Sequence, residues 1–222
     1  MNTTLKQGLK AALAGLTTVA AMSGTAWAVP IGGLFNTGVD GAGVAVVGGD
    51  GVTDTHYNVF SSTIGGVTTG VSAVTYKHPA YLAETASYRW ISHSSTGSPG
   101  SGTTVFRTTF DLTGLDASSA SISGLAASDN AGDIFLNGVD VGNIGSFSSL
   151  GAFAFSAGFV AGINTLDFAV QDFGPPLALL VGSLSGTADI ANGGGNNVPE
   201  PGSLALIGLG LVLLAARRKT QV

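Results

Sequence analysis

The chain has 222 residues, with 35 Gly, no Cys, 9% charged and 45% hydrophobic residues, a balance that excludes a disordered, strongly charged chain. The lack of Cys excludes disulfide bonds and thiol chemistry, so the hydrophobic core alone must hold the fold together. Between residues 29 and 202 there are three cations and 13 carboxylates, a formal net charge of −10, which argues against binding to nucleic acid or anionic lipid because both need Lys and Arg.

Residues 1–28 have the pattern of a secretory signal peptide. Lys6 and Lys10 provide a positive start, an apolar or small stretch follows at 11–21, and Ala26 and Ala28 occupy the two positions that signal peptidase requires to be small. The alternative is an amphipathic N-terminal helix of a cytosolic protein, but the complete basic, apolar and Ala-x-Ala order favours a signal. We therefore expect cleavage by signal peptidase and export of the domain that follows.

Residues 29–190 are expected to form one domain. Turn signals are closely spaced and apolar runs are short, which is typical of an all-β sandwich or barrel. The first strands are expected near 44–47 and 56–60, and a helical turn or two is expected at 79–87, where Pro79 suits a helix start.

Alternation of apolar and polar residues predicts the strands of the second half of this domain. The Asn137-Gly138 dipeptide within 133–142 is the strongest hairpin signal, because both residues tolerate a positive φ. Residues 177–190 are expected to form one long bent strand or two, with Pro175-Pro176 at the edge. Three further strands are expected at 103–112, 119–125 and 164–173.

The order of these segments resembles the galactose-binding-domain-like jelly roll. The resemblance spans about residues 86–190 and rests on four pieces of sequence: FRTTF at 106–110, SISGLA at 121–126, DIFLNG at 133–138 and GINTLDF at 162–168. It implies a jelly-roll β-sandwich, a structural Ca²⁺ in a loop, and a sugar ligand.

No sequence motif indicates an enzyme. A nucleophile elbow, a P-loop and a dinucleotide fingerprint are all missing. Two pairs of carboxylates, Asp111 with Asp116 and Asp129 with Asp133, are close enough in sequence to raise glycoside hydrolysis as an alternative. All four lie at expected strand ends or turns, where Asp is favoured for its hydrogen bonds to the backbone. We therefore expect a non-enzymatic protein.

Oxygen ligands for a metal occur together at Asp129, Asn130 and Asp133. They are hard ligands of the kind that Ca²⁺ accepts, and turn formation is the alternative explanation for them. No other cofactor is expected.

Candidate carbohydrate contacts are Tyr88, Trp90 and Arg107, because sugar-binding faces combine aromatic rings with polar side chains. The alternation Tyr88–Trp90–Ser92 leaves open that Trp90 belongs to the core instead.

The C-terminal segment begins with a Gly/Asn linker at 191–197, which is expected to be flexible. An apolar run follows at 204–216, about 20 Å long as a helix at roughly 1.5 Å per residue. A hydrocarbon core is about 30 Å thick, so this run is expected to form a short transmembrane helix. The cations Arg217, Arg218 and Lys219 that follow it are expected in the cytoplasm.

The segment 198–219 resembles the PEP-CTERM signal of bacterial surface proteins. The order is a Pro-containing motif at 198–203, the apolar run, and the basic tail at 217–219. The resemblance implies an exosortase-type membrane protease that recognises Pro199, Glu200 and Pro201. It also implies transient anchoring in the inner membrane, then delivery to the cell surface or extracellular matrix, with exopolysaccharide or biofilm as the partner. A carbohydrate-binding module with a defined glycan is the alternative function.

Overall fold

Twelve strands and a 3₁₀ turn make up residues 28–191, the part of the chain that the computed structural model describes. The strands are, in chain order, β1 (Ala28–Pro30), β2 (Thr53–Ser62), β3 (Val71–Thr75), β4 (Ile91–Ser92), β5 (Gly102–Asp111), β6 (Ser121–Asp129), β7 (Ala131–Leu136), β8 (Val139–Asn143), β9 (Gly145–Ser146), β10 (Gly151–Phe155), β11 (Ile163–Asp172) and β12 (Ala178–Asp189), with the 3₁₀ turn at Ala117–Ser119. The prediction of an all-β fold is confirmed.

Hydrogen bonds join the strands in the order β10-β6-β12-β4-β3-β2-β5-β11-β7-β8, with β1 on β12 and β9 on β6. Every pair is antiparallel except β6 with β9. The short β4 links two larger layers. We name them the β12 sheet (β1, β12, β6, β9, β10) and the β5 sheet (β3, β2, β5, β11, β7, β8).

The two sheets pack face to face around the main core. The ring of Phe153 in β10 meets that of Phe168 in β11 edge-on at 6.1 Å between centroids, so the contact crosses from one layer to the other. In β5, Phe106 and Phe110 point inward and are buried, whereas Arg107 and Thr109 point outward. Burying each such Phe contributes about 1.5–3 kcal/mol. The period-2 alternation of the sequence therefore places one face of the strand in the core of the sandwich, as predicted.

A second, smaller core covers the outer face of β12. Ala178 and Leu180 belong to it, together with Tyr81 and Trp90, whereas Leu179 points to the main core. The chain between β3 and β4 folds over this face, so β12 is buried on both sides. That is why its sequence reads as a continuous apolar run instead of alternating.

The predicted hairpin is confirmed at Asn137-Gly138, between β7 and β8. The two residues have φ of 51° and 83°, the left-handed values that a two-residue hairpin turn requires. The choice between one strand and two at 177–190 is also settled, because β12 is a single strand with an irregularity between Gly182 and Ser185.

Two predictions of secondary structure are wrong. Residues 44–47 form no strand, because this glycine-rich loop is held from outside: the buried Arg89 donates to the carbonyls of Val46 and Gly48 at 3.1 and 3.0 Å. Residues 79–87 form turns and no helix, because Glu84 there accepts from the backbone N–H of Trp90 at 3.0 Å and bends the chain back on itself.

No stretch of residues 28–191 forms a helix long and apolar enough to cross a bilayer. Most of the predicted signal peptide, with Ala26, lies outside the described residues, and so do the predicted linker beyond residue 191 and the whole of 198–219.

Candidate functional site

The outer face of the β5 sheet carries a cluster of polar and aromatic side chains centred on Arg107. In the strand register Arg107 of β5 lies opposite Asn58 of β2 on one side and Asp167 of β11 on the other. Alternation places all outward residues of β5 on this face. The cluster is therefore a direct product of the sheet geometry.

Arg107 is fixed by two contacts. Its Nε and Nη2 donate to Oδ1 and Oδ2 of Asp167, each at 2.6 Å, a bidentate geometry that holds both side chains in one orientation. The hydrogen bond from Arg107 to the Asp167 carboxylate raises the pKa of the guanidinium above its ordinary value. The guanidinium carbon also lies 3.3 Å from the centroid of the Phe60 ring, a cation–π contact, and Phe60 remains 48% exposed.

A cleft of about 310 Å³ opens beside Arg107. Its lining includes Asn58, Thr109 and a pair of stacked rings, Phe35 and His56. The two rings are nearly parallel, with centroids 3.7 Å apart. The cleft therefore combines flat apolar surfaces with hydrogen-bonding groups.

A second cleft of about 340 Å³ adjoins the first, and the two share Gly33 and Thr109. The second continues past Thr109 to Asp111 and Ile163. We name the combined feature, together with Phe60 and Asp167, the β5 groove. From Arg107 to Asp111 it follows β5 for about 13 Å, at roughly 3.3 Å per residue.

A buried carboxylate holds one wall of the β5 groove in place. Asp54 accepts hydrogen bonds from the backbone N–H groups of Gly38, His56 and Tyr57 at 2.6, 2.7 and 3.0 Å. Burial raises the pKa of Asp54, and these N–H groups oppose that effect. Tyr57 in turn donates its hydroxyl to the carbonyl of Phe35 at 2.8 Å. Both stacked rings of the wall are thus anchored to buried groups.

Comparison with known proteins identifies the C-terminal segment. Residues 197–219 match the family model of the PEP-CTERM protein-sorting motif. The chain carries a PEP-CTERM signal. This confirms the resemblance drawn from 198–219, and the motif marks an exported protein with a C-terminal, membrane-anchoring sorting signal. No curated protein sequence matches this chain.

Two solved structures are similar to this chain over part of its length. One is a mutant of CBM29-2, a family 29 carbohydrate-binding module complexed with mannohexaose, at 12% identity and a TM-score of 0.35, over 73% of this chain and 92% of that one. The other is the GH26-CBM35 β-(1,4)-mannanase of Podospora anserina, at 17% identity and a TM-score of 0.27, over 61% of this chain and 28% of that one. Neither similarity extends to a conclusion about what this chain binds.

The predicted carbohydrate residues Tyr88, Trp90 and Arg107 are not brought together. Trp90 is 0% exposed, donates its Nε1 to the carbonyl of Leu82 at 2.9 Å and belongs to the second core. Its prediction as a ligand contact is therefore corrected, because the ring fills the core. Tyr88 lies against Gly182 of β12, where an added Cβ would come within 2.9 Å of its ring. Only Arg107 lies in the β5 groove.

Sequence reasoning missed three groove residues: Phe60, His56 and Asp167. Phe60 and His56 fall in the strand predicted near 56–60, and Asp167 falls in the strand predicted at 164–173. The feature that identifies them is their position on an outward face of the sheet, and that position can be recognised only once the strand order is known.

The predicted metal ligands Asp129, Asn130 and Asp133 are engaged by different protein groups. Asp129 accepts from the hydroxyl of Tyr81 at 2.9 Å and from Nδ2 of Asn130 at 2.6 Å. Asp133 accepts from Nδ2 of Asn143 at 2.8 Å. Within residues 28–191, no three His, Cys, Asp or Glu residues are grouped so that they could hold a metal ion. The arrangement does not fit a calcium site, and calcium binding stays a prediction without geometric support.

Asp129 gives a test of pH dependence. Burial raises its pKa above the ordinary value of 3.8, so the folded state binds the proton more tightly than the unfolded state. As the pH rises from 3.8 through the folded pKa, the wild type is expected to lose stability relative to Asp129→Asn. Urea unfolding of both proteins between about pH 3 and pH 7 measures the difference.

Asp116 provides a control with the opposite sign. The hydroxyl and backbone N–H of Ser118 lower the pKa of Asp116 below 3.8, so its contribution is present above that pH and is lost as the pH falls through the folded pKa. Relative to Asp116→Asn, the wild type is expected to gain stability as the pH rises. Parallel slopes for the two substitutions would contradict the assignment.

Proposed function

We propose that this chain is an exported, non-enzymatic protein of the cell surface or extracellular matrix that binds polysaccharide in the β5 groove. The single observation that supports the ligand is the Arg107–Asp167 pair stacked on the exposed Phe60 in an open groove. Such a site offers binding partners for both kinds of surface on a sugar ring. Apolar C–H faces lie against aromatic rings, and hydroxyl groups exchange hydrogen bonds with fixed polar side chains.

The shape of the groove favours a polymer over a single sugar. It continues along β5 from Phe60 past Arg107 and Thr109 to Ile163, and Ile163 is itself exposed. A chain of linked sugar rings lying along β5 would contact both clefts at once. Linked contacts of this kind strengthen binding without any single strong interaction.

The carboxylates of the groove support binding without catalysis. Asp167 has both oxygens engaged by Arg107. Asp111 accepts from the backbone N–H and the hydroxyl of Thr113, which lower its pKa. A glycoside hydrolase needs one carboxylic acid with a raised pKa as its proton donor. Asp111 has a lowered pKa and does not provide that environment, and both oxygens of Asp167 are occupied by Arg107.

The sorting signal indicates where the exported domain would meet its ligand. The PEP-CTERM motif implies processing by an exosortase at the membrane, followed by release toward the surface or matrix. The resemblance to PEP-CTERM proteins implies exopolysaccharide, so it is the partner that we propose. The domain would then connect the cell or its matrix to the polysaccharide that surrounds it.

Phe60→Ala is expected to weaken polysaccharide binding about tenfold, which corresponds to roughly 1.4 kcal/mol. The substitution removes an exposed ring and leaves the Arg107–Asp167 pair intact. Arg107→Ala is a poorer test, because it would leave the nearly buried Asp167 without its partner and would lower stability as well. Affinity electrophoresis of the purified full-length protein in galactomannan, xyloglucan, dextran, alginate and polygalacturonate measures the effect.

Phe173→Ala is the matched control. Phe173 is 68% exposed and follows β11 near Asn130, outside the β5 groove. Its loss is expected to leave the affinity unchanged. An equal loss from both substitutions, or no binding to any polysaccharide by the wild type, would overturn the proposed function.

A further inference from the structure

We infer that the β5 groove selects uncharged polysaccharides and rejects anionic ones. This inference rests on the proposed function and narrows it to a class of ligand. It follows from where the few cations of the domain lie and from how the one in the groove is neutralised.

Only one of the three cations of residues 28–191 lies in the groove. Arg89 is buried and bound to Glu84 and to the carbonyls of the loop that contains Val46. Lys77 lies next to Asp50, whose carboxylate accepts from its backbone N–H at 3.1 Å. Among the Lys and Arg residues of 28–191, Arg107 is therefore the one that lines the groove.

The charge of Arg107 is already neutralised by Asp167. The bidentate pair leaves no net charge at the centre of the groove. Asp111 adds a negative charge at the far end, and its pKa is lowered so that it stays ionised. Residues 28–191 carry 12 carboxylates and three cations, so the field around the groove is negative. A polyanion would meet repulsion without a compensating cation.

The same pair is well suited to hydroxyl groups. A guanidinium has five N–H donors, and Asp167 accepts only from Nε and Nη2, so donors at Nη1 and Nη2 of this cleft-lining residue remain unused by Asp167. Carboxylate oxygens accept more than one hydrogen bond each. Donor and acceptor thus lie side by side, and a sugar hydroxyl both donates and accepts. The groove therefore recognises hydroxyls without offering a net charge.

The test compares one polysaccharide with its own charged derivative. The neutral polysaccharide that the full-length protein binds best is carboxymethylated, and the affinities for the parent and the derivative are measured at low ionic strength, where repulsion is least screened. We expect the derivative to bind at least about tenfold more weakly, because like charges brought together cost free energy. Equal or tighter binding of the derivative overturns this inference and leaves the proposed function standing.

Asp167→Asn changes the net charge at the centre of the groove from zero to positive. It frees the charge of Arg107, so the discrimination against the carboxymethylated derivative is expected to shrink or reverse. Asp133→Asn is the control, because it removes one carboxylate from β7, two strands from β5, without touching the Arg107–Asp167 pair. Should Asp133→Asn shift the discrimination as much as Asp167→Asn, the pair would not set the preference. Failure of every polysaccharide to bind the wild type would overturn the proposed function, and this inference with it.

Discussion

Asn164→Ala is expected to lower the free energy of unfolding by about 3 kcal/mol, because it removes a buried amide that makes several hydrogen bonds to the backbone. Asn164 is 0% exposed. Its Oδ1 accepts from the N–H of Val160 at 2.9 Å, and its Nδ2 donates to the carbonyls of Val160 and Gly162 at 2.8 and 2.9 Å. Urea unfolding followed by tryptophan fluorescence measures the loss.

A double-mutant cycle of Asn137 and Asn164 measures how much of this stabilisation depends on the hydrogen bond between them. Nδ2 of Asn137 in the β7–β8 turn donates to Oδ1 of Asn164 at 2.8 Å, so the two substitutions are expected to be non-additive. Asn143→Ala is the control. Asn143 is exposed and its side-chain amide donates to Asp133, so its loss is expected to cost no more than about 0.5 kcal/mol. A similar cost for Asn164→Ala and Asn143→Ala would contradict the network.

The strands that could be predicted from the sequence are those whose pattern is local. Residues 103–112 and 119–125 alternate cleanly, and the structure places β5 and β6 there with the expected faces inward. The Asn137-Gly138 turn was visible for the same reason, since its backbone requirement is contained in two residues. Two pieces of the jelly-roll resemblance, DIFLNG and GINTLDF, each contribute one Asn to the hydrogen bond between Asn137 and Asn164.

The strands and loops that could not be predicted depend on distant partners. The sequences of β3 and β10 are five residues each, VSAVT and GAFAF, too short and too small to stand out. The segment 44–47 is rich in Val and reads as a strand, but Arg89, more than 40 residues away, fixes the carbonyls of Val46 and Gly48 in a loop. Tertiary contacts of this kind override local propensity.

The groove was predicted only in part, for a related reason. Arg107 was a candidate because sugar-binding faces combine aromatic rings with polar side chains, but its partner Asp167 is 60 residues further along the chain. Nothing in the two sequences reveals that β11 pairs with β5 in a register that sets these residues opposite each other. Trp90 was predicted as a ligand contact because it is an aromatic residue near a strand, but its ring packs in the core that covers β12.

Replacement of Pro199, Glu200 and Pro201 by Ala is expected to abolish C-terminal processing, which is the largest effect among these predictions. The two prolines fix their own φ near −65° and bias the residue before each of them toward an extended backbone. An extended segment suits a protease groove, and Glu200 supplies a charge for recognition. Mass spectrometry of the protein recovered from exporting cells is expected to show the tail through Arg217, Arg218 and Lys219 retained in the variant and lost from the wild type.

Asn196→Ala, in the predicted linker beside the motif, is the matched control and is expected to be processed normally. Glu200→Gln separates charge from backbone stiffness, because it keeps both prolines, and partial processing of that variant would assign the remaining recognition to the backbone. The triple variant is also expected to bind polysaccharide as the wild type does, since the β5 groove and the sorting motif are far apart in sequence. Normal trimming and delivery of the triple variant would show that this triplet does not direct sorting, whereas altered polysaccharide binding would show that sorting and polysaccharide binding are not independent.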